Sequence, residues 1–211
     1  MIDEWEIYIG GLQMAYRNIG ILGGVFDPVH LGHLSVAVLA KESFGLERVL
    51  FVPAGTPPHK LAVAASSDDR LSMLKLALDG IDGFDIWDGE IRRGGYSYTI
   101  DTLNELEALY AGARFYFIIG TDNLTEIHKW HKFEEIIGKV TLCVAKRPGH
   151  SLKRTEALAS AAIEAFLGPE WGASSTMLRG YMKSGRSCKF LIPDAVLNYI
   201  KEKGLYEYHI R

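Results

Sequence analysis

Residues 18–34 read NIGILGGVFDPVHLGHL. An apolar run from Asn18 to Phe26 has the length of a buried strand, and HLSVAVLAKESFG, His33 to Gly45, has the length and closing glycine of a helix. Between them lie a glycine pair, a proline and two histidines three positions apart. The alternation then repeats. Arg48 to Ala54 is a strand, and SDDRLSMLKLALDG (67–80) is a helix with acidic and hydroxyl residues at its start and Gly80 at its end. FDIWDGEI (84–91) is a weaker strand, SYTIDTLNELEALYAG (97–112) a helix and Arg114 to Gly120 a strongly apolar strand. A further helical segment leads to a strand at Thr141 to Lys146. KRTEALASAAIEAF (153–166) has the local propensity of a helix. SSTMLRGYMKSG (174–185) and PDAVLNYIKEKG (193–204) are two more.

Strands and helices in rotation call for a parallel sheet covered on both faces, because parallel strands need long crossovers that helices fill. The expected class is therefore α/β, a doubly wound parallel sheet with a C-terminal helical extension from about residue 174. Residues 18–211 read as one domain, and residues 1–17 as an extension whose structure the sequence leaves open.

Composition narrows the class of function. The chain has 211 residues, 48% hydrophobic and 23% charged, which suits an ordinary folded protein and excludes a disordered one. Its net charge of −3 supplies no general field for nucleic acid or an anionic membrane, so any anion site must be local. Cys143 and Cys188 lie far apart, without disulfide-framework or zinc-ligand spacing, and read as buried thiols. The first residues, MIDEWEIYIGG, are acidic where a secretory signal is basic, and no apolar run approaches the ~20 residues of a membrane span. A cytoplasmic protein is expected.

Ligands of an open parallel sheet bind outside the carboxyl ends of its strands. The segments there are GGVFDPVHLGH, PAGTPPHK, RRGGYSYT, GTDNL and KRPGH, and they collect His30, His33, His59, Lys60, Arg92, Arg93, Lys146 and Arg147. Such loops suit an anion. Gly23 and Gly24 let backbone approach a ligand, and the helix entered at Gly32 and His33 offers N–H groups and a dipole favourable to phosphate. His30 and His33 can face one point if the second lies in the first helical turn. The same spacing suits a metal, but no acidic or cysteine third ligand follows and a helix N-terminus repels cations, so no metal-binding residue is expected.

GGVFDPVHLGHL resembles the HxGH segment of the nucleotidyltransferase superfamily, and SSTMLR (174–179) resembles its second signature. PPHK, SYT after two arginines, IIGTDN, a following tryptophan, KRPG and LIPDAVLNYIKEKGLY extend the likeness from Ile19 to Tyr206. The whole set is similar to bacterial nicotinate-nucleotide adenylyltransferases. Two positions depart from that pattern: Val25 stands where a hydroxyl residue is usual, and Ala173 where isoleucine is usual. The family also places a strand shortly before the second signature, against the helical propensity of 153–166.

The resemblance implies a Rossmann-like fold and adenylyl transfer from ATP to nicotinate mononucleotide, giving deamido-NAD and pyrophosphate. The attacking phosphate, with a second pKa near ~6, is ionised at neutral pH and needs no general base. The demand is for donors that align two anions and stabilise the departing pyrophosphate. His30 and His33 are expected at the ATP phosphates. By resemblance, Arg179 and the N–H groups around Ser175 and Thr176 hold the β and γ phosphates, with Lys60 and Arg147 as further cations. Gly120 and Asp122 match positions near the adenosine ribose, Asp122 reading equally as a helix N-cap. Trp130 matches a position that stacks on nicotinate. The N–H groups of Tyr98 and Thr99, at a helix start, suit the nicotinate carboxylate. His128 and His131 read as surface or packing residues. Mg²⁺ is expected on the ATP phosphates. The alternatives are another acceptor, nicotinamide mononucleotide or phosphopantetheine, or a nucleotide sensor without turnover. Nucleic acid is not an expected partner; a homo-oligomer is left open.

Overall fold

The first strand, β1 (Asn18–Gly24), lies at the centre of the sheet. The structure is a computed structural model and describes residues 17–56, 63–146, 156–169 and 172–208. After β1 come α1 (Leu31–Phe44), β2 (Arg48–Pro53), α2 (Ser67–Leu78) and β3 (Phe84–Ile86). The short α3 (Gly89–Arg93) and α4 (Thr99–Leu109) lead to β4 (Arg114–Gly120). α5 (Thr121–Glu126), α6 (Phe133–Lys139), β5 (Val140–Lys146), β6 (Ile163–Leu167), α7 (Ser175–Lys183) and α8 (Asp194–Glu202) complete the order. All six strands pair in parallel, in the order β3-β2-β1-β4-β5-β6.

Every strand but the short edge strand β3 divides its residues between two cores, as a period of two requires of a sheet covered on both faces. Leu22, Val49, Phe51, Ile118 and Cys143 face α1, α2, α7 and α8. Ile21, Leu50, Val52, Phe117 and Leu142 face α4, α5 and α6. Helix α1 ends on Gly45, whose left-handed backbone (φ 57°) turns the chain directly into β2. Helix α2 starts on Ser66, whose side chain accepts from the Asp69 N–H at 3.0 Å. The doubly wound fold and the C-terminal helices agree with the sequence expectation.

Two segments differ from it. The strand expected over 84–91 stops at Ile86: Trp87 is buried and α3 begins at Gly89, where a Cβ would meet the Trp87 ring at 2.1 Å. The chain turns too tightly around that indole to stay extended. Over 153–166 the described part is a single 3₁₀ turn, Glu156–Leu158, followed by β6, which pairs from Leu142↔Ile163 to Lys146↔Leu167. Pairing with β5 at the sheet edge outweighs helix propensity there. Residues 153–155, and the 1–17 extension apart from Arg17, lie outside the described residues. No described helix is long and apolar enough to cross a membrane. Both cysteines are buried, and burial pushes the Cys143 thiol up to about 12.

Candidate active site at the switch point of the sheet

Strand order reverses between β1 and β4, and a crevice opens at the carboxyl ends of strands where that happens. Here it is a cleft of about 610 Å³. Gly23 and Gly24 at the end of β1, Gly120 and Asp122 after β4, His30 and His33 of the β1–α1 loop, and Ser175, Thr176 and Arg179 of α7 all line it.

The histidine pair is built by the start of α1. His30 is the N-cap, with extended backbone (φ −146°, ψ 168°), and His33 is the third helical residue. The His30 N–H donates to His33 Nδ1 at 3.3 Å, and the two rings lie 3.8 Å apart, tilted by 30°. An Nδ1 that accepts places the proton of a neutral ring on Nε2. Phe26 meets the His33 ring edge-on at 5.0 Å.

His30 is only 6% exposed, its Nδ1 has no partner among the described residues, and burial lowers its pKa from 6.5 to about 4. At neutral pH it brings an uncharged, hydrogen-bonding imidazole to the cleft. The other expected cations divide. Arg92 pairs with Asp88 at 2.7 Å, and Arg93 with Glu105, so both are engaged by neighbouring carboxylates. Lys60 and Arg147 lie outside the described residues. Among the described residues that line the cleft, Arg179 alone carries a permanent positive charge.

Helix α7 lines the cleft together with α1. Ser174 caps it, accepting from the Met177 N–H at 3.2 Å, and the Ser175 hydroxyl donates to the Pro28 carbonyl at 3.0 Å. Arg179 Nη1 donates to the Asp27 carbonyl at 2.6 Å, and Nη2 to Thr176 Oγ1 at 3.3 Å. The N-termini of α1 and α7 therefore meet at the Asp27–Pro28 turn, whose peptide bond is cis. The first-turn N–H groups of Leu31, His33 and Met177 are taken by the Leu191 carbonyl, the His30 carbonyl and the Ser174 hydroxyl, which leaves those of Gly32, Ser175 and Thr176 to suit this junction to an anion.

Asp122 lies in the first turn of α5, whose N-cap is Gly120, so the N-cap alternative for Asp122 does not hold. Tyr98, Thr99 and Trp130 are not part of this cleft's lining. They form a second group: Tyr98 caps α4, which begins at Thr99, and its ring lies 4.7 Å from that of His131, the neighbour of Trp130. Trp130 packs perpendicular to Phe117 at 5.9 Å. Behind Tyr98, the buried Glu90 accepts from the Thr102 hydroxyl at 2.7 Å, and burial raises its carboxyl above the usual range.

Sequence reasoning missed Asp27 and Arg70. Arg70, 2% exposed, donates to the carbonyls of Val25 at 2.9 Å and Gly55 at 3.3 Å, which ties the first two loops together. Its signal was its place on the buried stripe of α2 with Met73, Leu74, Ala77 and Leu78. Asp27 stood inside the quoted motif, but its partners are distant in sequence.

Residues 21–180 match the family described as cytidylyltransferase-like. A protein of Oceanobacillus iheyensis, named as a probable nicotinate-nucleotide adenylyltransferase, is 41% identical over 190 residues, covering 90% of this chain and 97% of the relative. The chain belongs to the nicotinate-nucleotide adenylyltransferase family. A second relative with that name, from Halalkalibacterium halodurans, is 43% identical over 193 residues, covering 90% of this chain and 92% of its own length. Among solved structures, Plasmodium falciparum nicotinic acid mononucleotide adenylyltransferase complexed with NaAD superposes with a TM-score of 0.77 at 20% identity, over 92% of this chain and 99% of that one. That likeness is one of fold, and it extends the family's architecture over nearly the whole chain.

Proposed function

We propose that the protein transfers the adenylyl group of ATP to nicotinate mononucleotide, forming deamido-NAD and pyrophosphate. The observation that carries this is the union of both signature segments, His30 to His33 and Ser174 to Arg179, in one cleft at the switch point. The family's relatives, near 40% identity over 90% of the chain, support the choice of acceptor.

In the reaction an oxygen of the mononucleotide phosphate forms a bond to the α-phosphorus of ATP. The bond from that phosphorus to the bridging oxygen breaks, and its electron pair leaves with pyrophosphate. The nucleophile is already ionised, so no general base is needed. We assign the His33 Nε2–H to the charge growing on the α-phosphate and bridging oxygen, and the neutral His30 to a further hydrogen bond. Arg179 and the first-turn N–H groups of α7 at Ser175 and Thr176 hold the β and γ phosphates. Gly23 and Gly24 admit the triphosphate close to β1; Gly120 and Asp122 hold the ribose. Donors aligned in advance favour the transition state without binding the triphosphate so tightly that turnover is lost.

Trp130 stacks on the pyridine ring in this scheme, and the N–H groups at Tyr98 and Thr99 receive the nicotinate carboxylate. An amide in its place would present an N–H to those donors, which gives the acid its preference. Magnesium enters as part of the substrate, Mg-ATP. The described residues contain no cluster of three or more His, Cys, Asp or Glu side chains suited to a metal ion, and the donors of the cleft suit phosphate oxygens instead. Lys60 and Arg147 are assigned to the same triphosphate from sequence alone. We place the enzyme in the cytoplasm, acting on small molecules rather than nucleic acid.

The test is pyrophosphate release from Mg-ATP with each acceptor supplied separately: nicotinate mononucleotide, nicotinamide mononucleotide and phosphopantetheine. Strong preference for the nicotinate form is expected. Turnover confined to either other acceptor, or ATP binding without product, would overturn the reading.

A further inference from the structure

Tyr206 stands 179 positions from Asp27, yet its hydroxyl donates to Asp27 Oδ1 at 2.7 Å. The reaction as described does not use it. Asp27 is 3% exposed, and its carboxylate also accepts the N–H groups of Ala64 at 2.8 Å and Ala65 at 3.1 Å. The same residue meets Arg179 on its other side, through its carbonyl at 2.6 Å and with Oδ2 at 3.7 Å. Tyr206 and Glu207 both hold left-handed backbone, φ 59° and 52°, where side-chain-bearing residues are unfavourable. That turn brings the phenol beneath the β1–α1 loop. Burial, and then the adjoining Asp27 carboxylate, hold the phenol in its protonated, donating form.

Arg179 has two competing partners in this arrangement, a triphosphate and the Asp27 carboxylate. A donor on that carboxylate offsets part of its charge and fixes its orientation, which weakens its claim on the guanidinium. We infer that Tyr206 is a positioning residue for adenylyl transfer: its hydroxyl restrains Asp27 so that Arg179 rests on a main-chain carbonyl and stays accessible to the β and γ phosphates. The inference rests on the assignment of Arg179 to those phosphates.

The chain supplies a matched control. Tyr199 comes from the same C-terminal segment, and its hydroxyl donates to the Asp69 carboxylate at 2.8 Å, on α2 rather than on the β1–α1 loop. Tyr206→Phe and Tyr199→Phe each remove one phenol-to-carboxylate bond and keep the ring. Inhibition by pyrophosphate, KM for ATP, KM for nicotinate mononucleotide and Tm are measured on both. With a hydrogen bond to a charged group removed, Tyr206→Phe should weaken pyrophosphate inhibition and raise KM for ATP by about tenfold. Its KM for nicotinate mononucleotide should stay near that of the natural chain, and Tyr199→Phe should leave all three constants near theirs.

A double-mutant cycle with Arg179→Ala separates positioning from general support. The effect of Tyr206→Phe on pyrophosphate inhibition should vanish in the Arg179→Ala background. An active natural enzyme whose pyrophosphate constant is the same in Tyr206→Phe, or moves equally in Tyr199→Phe, would overturn this inference alone. So would an effect that persists without Arg179. A natural chain that makes no pyrophosphate from ATP and nicotinate mononucleotide would overturn the proposed function, and this inference with it.

Discussion

Replacing His30 with asparagine removes a titrating ring and keeps a neutral polar side chain of smaller size. In the folded chain the ring's pKa is lowered by burial to about 4, against 6.5 for an exposed histidine. Between these values the unfolded chain binds a proton that the folded chain excludes, so stability is intact above about pH 6.5 and falls as the solution is acidified toward pH 4. From pH 7.5 to 4.5 the linkage removes about 2.5 kcal/mol from the natural chain that the variant does not lose. Groups that titrate alike in both proteins cancel in the comparison. Urea unfolding followed by circular dichroism, at half-unit steps of pH, measures it. The natural chain should start more stable or equal at neutral pH and approach the variant, or cross below it, in acid. Parallel stability curves for the two proteins, or an imidazole resonance of His30 that titrates near 6.5, would refute the claim that this ring is neutral in the cleft.

His33→Ala should lower kcat by about 10²–10³, the usual cost of one aligned donor to a transition state, with Tm little changed; near-normal turnover would remove His33 from the mechanism. Trp130→Ala should raise KM for nicotinate mononucleotide by the ~1–3 kcal/mol of a lost stacking partner while leaving KM for ATP alone, and an equal rise in both constants would contradict its assignment. Gly55→Ala should destabilise the chain by about 1–3 kcal/mol in urea titration, because overpacking displaces structure that cannot yield. Its new Cβ would lie 2.5 Å from the Glu90 carbonyl, which is backbone and has little room to move, so an unchanged midpoint would refute that contact.

The parts of the fold legible in the sequence are those governed by neighbours. Gly23, Gly24, Pro28 and the histidine pair lie within one loop, and the strands on either side alternate between two buried faces. β6 was obscured because the alanines and glutamates of 153–166 favour a helix locally, while its pairing with β5 is a matter of position in the sheet. The protonation of His30 was not legible for a related reason: the residue is named by the sequence, but its charge state depends on burial that only the assembled loop creates. The pairing of Arg92 with Asp88 was open to reading, since the two are four positions apart. The Asp27, Arg70 and Tyr206 contacts were not, because they span 15 to 179 positions and no local pattern announces them.

The hydrogen bond from Ser175 to Pro28 joins residues 147 positions apart. As the chain emerges from the ribosome, all six strands are out before α7 appears, so the sheet can assemble around a half-built nucleotide site. A nascent chain at that stage presents the glycine-rich turn and the two imidazoles without Arg179 and the start of α7. On the proposed assignment, competence to hold a triphosphate thus waits for α7 and is an event separate from formation of the sheet.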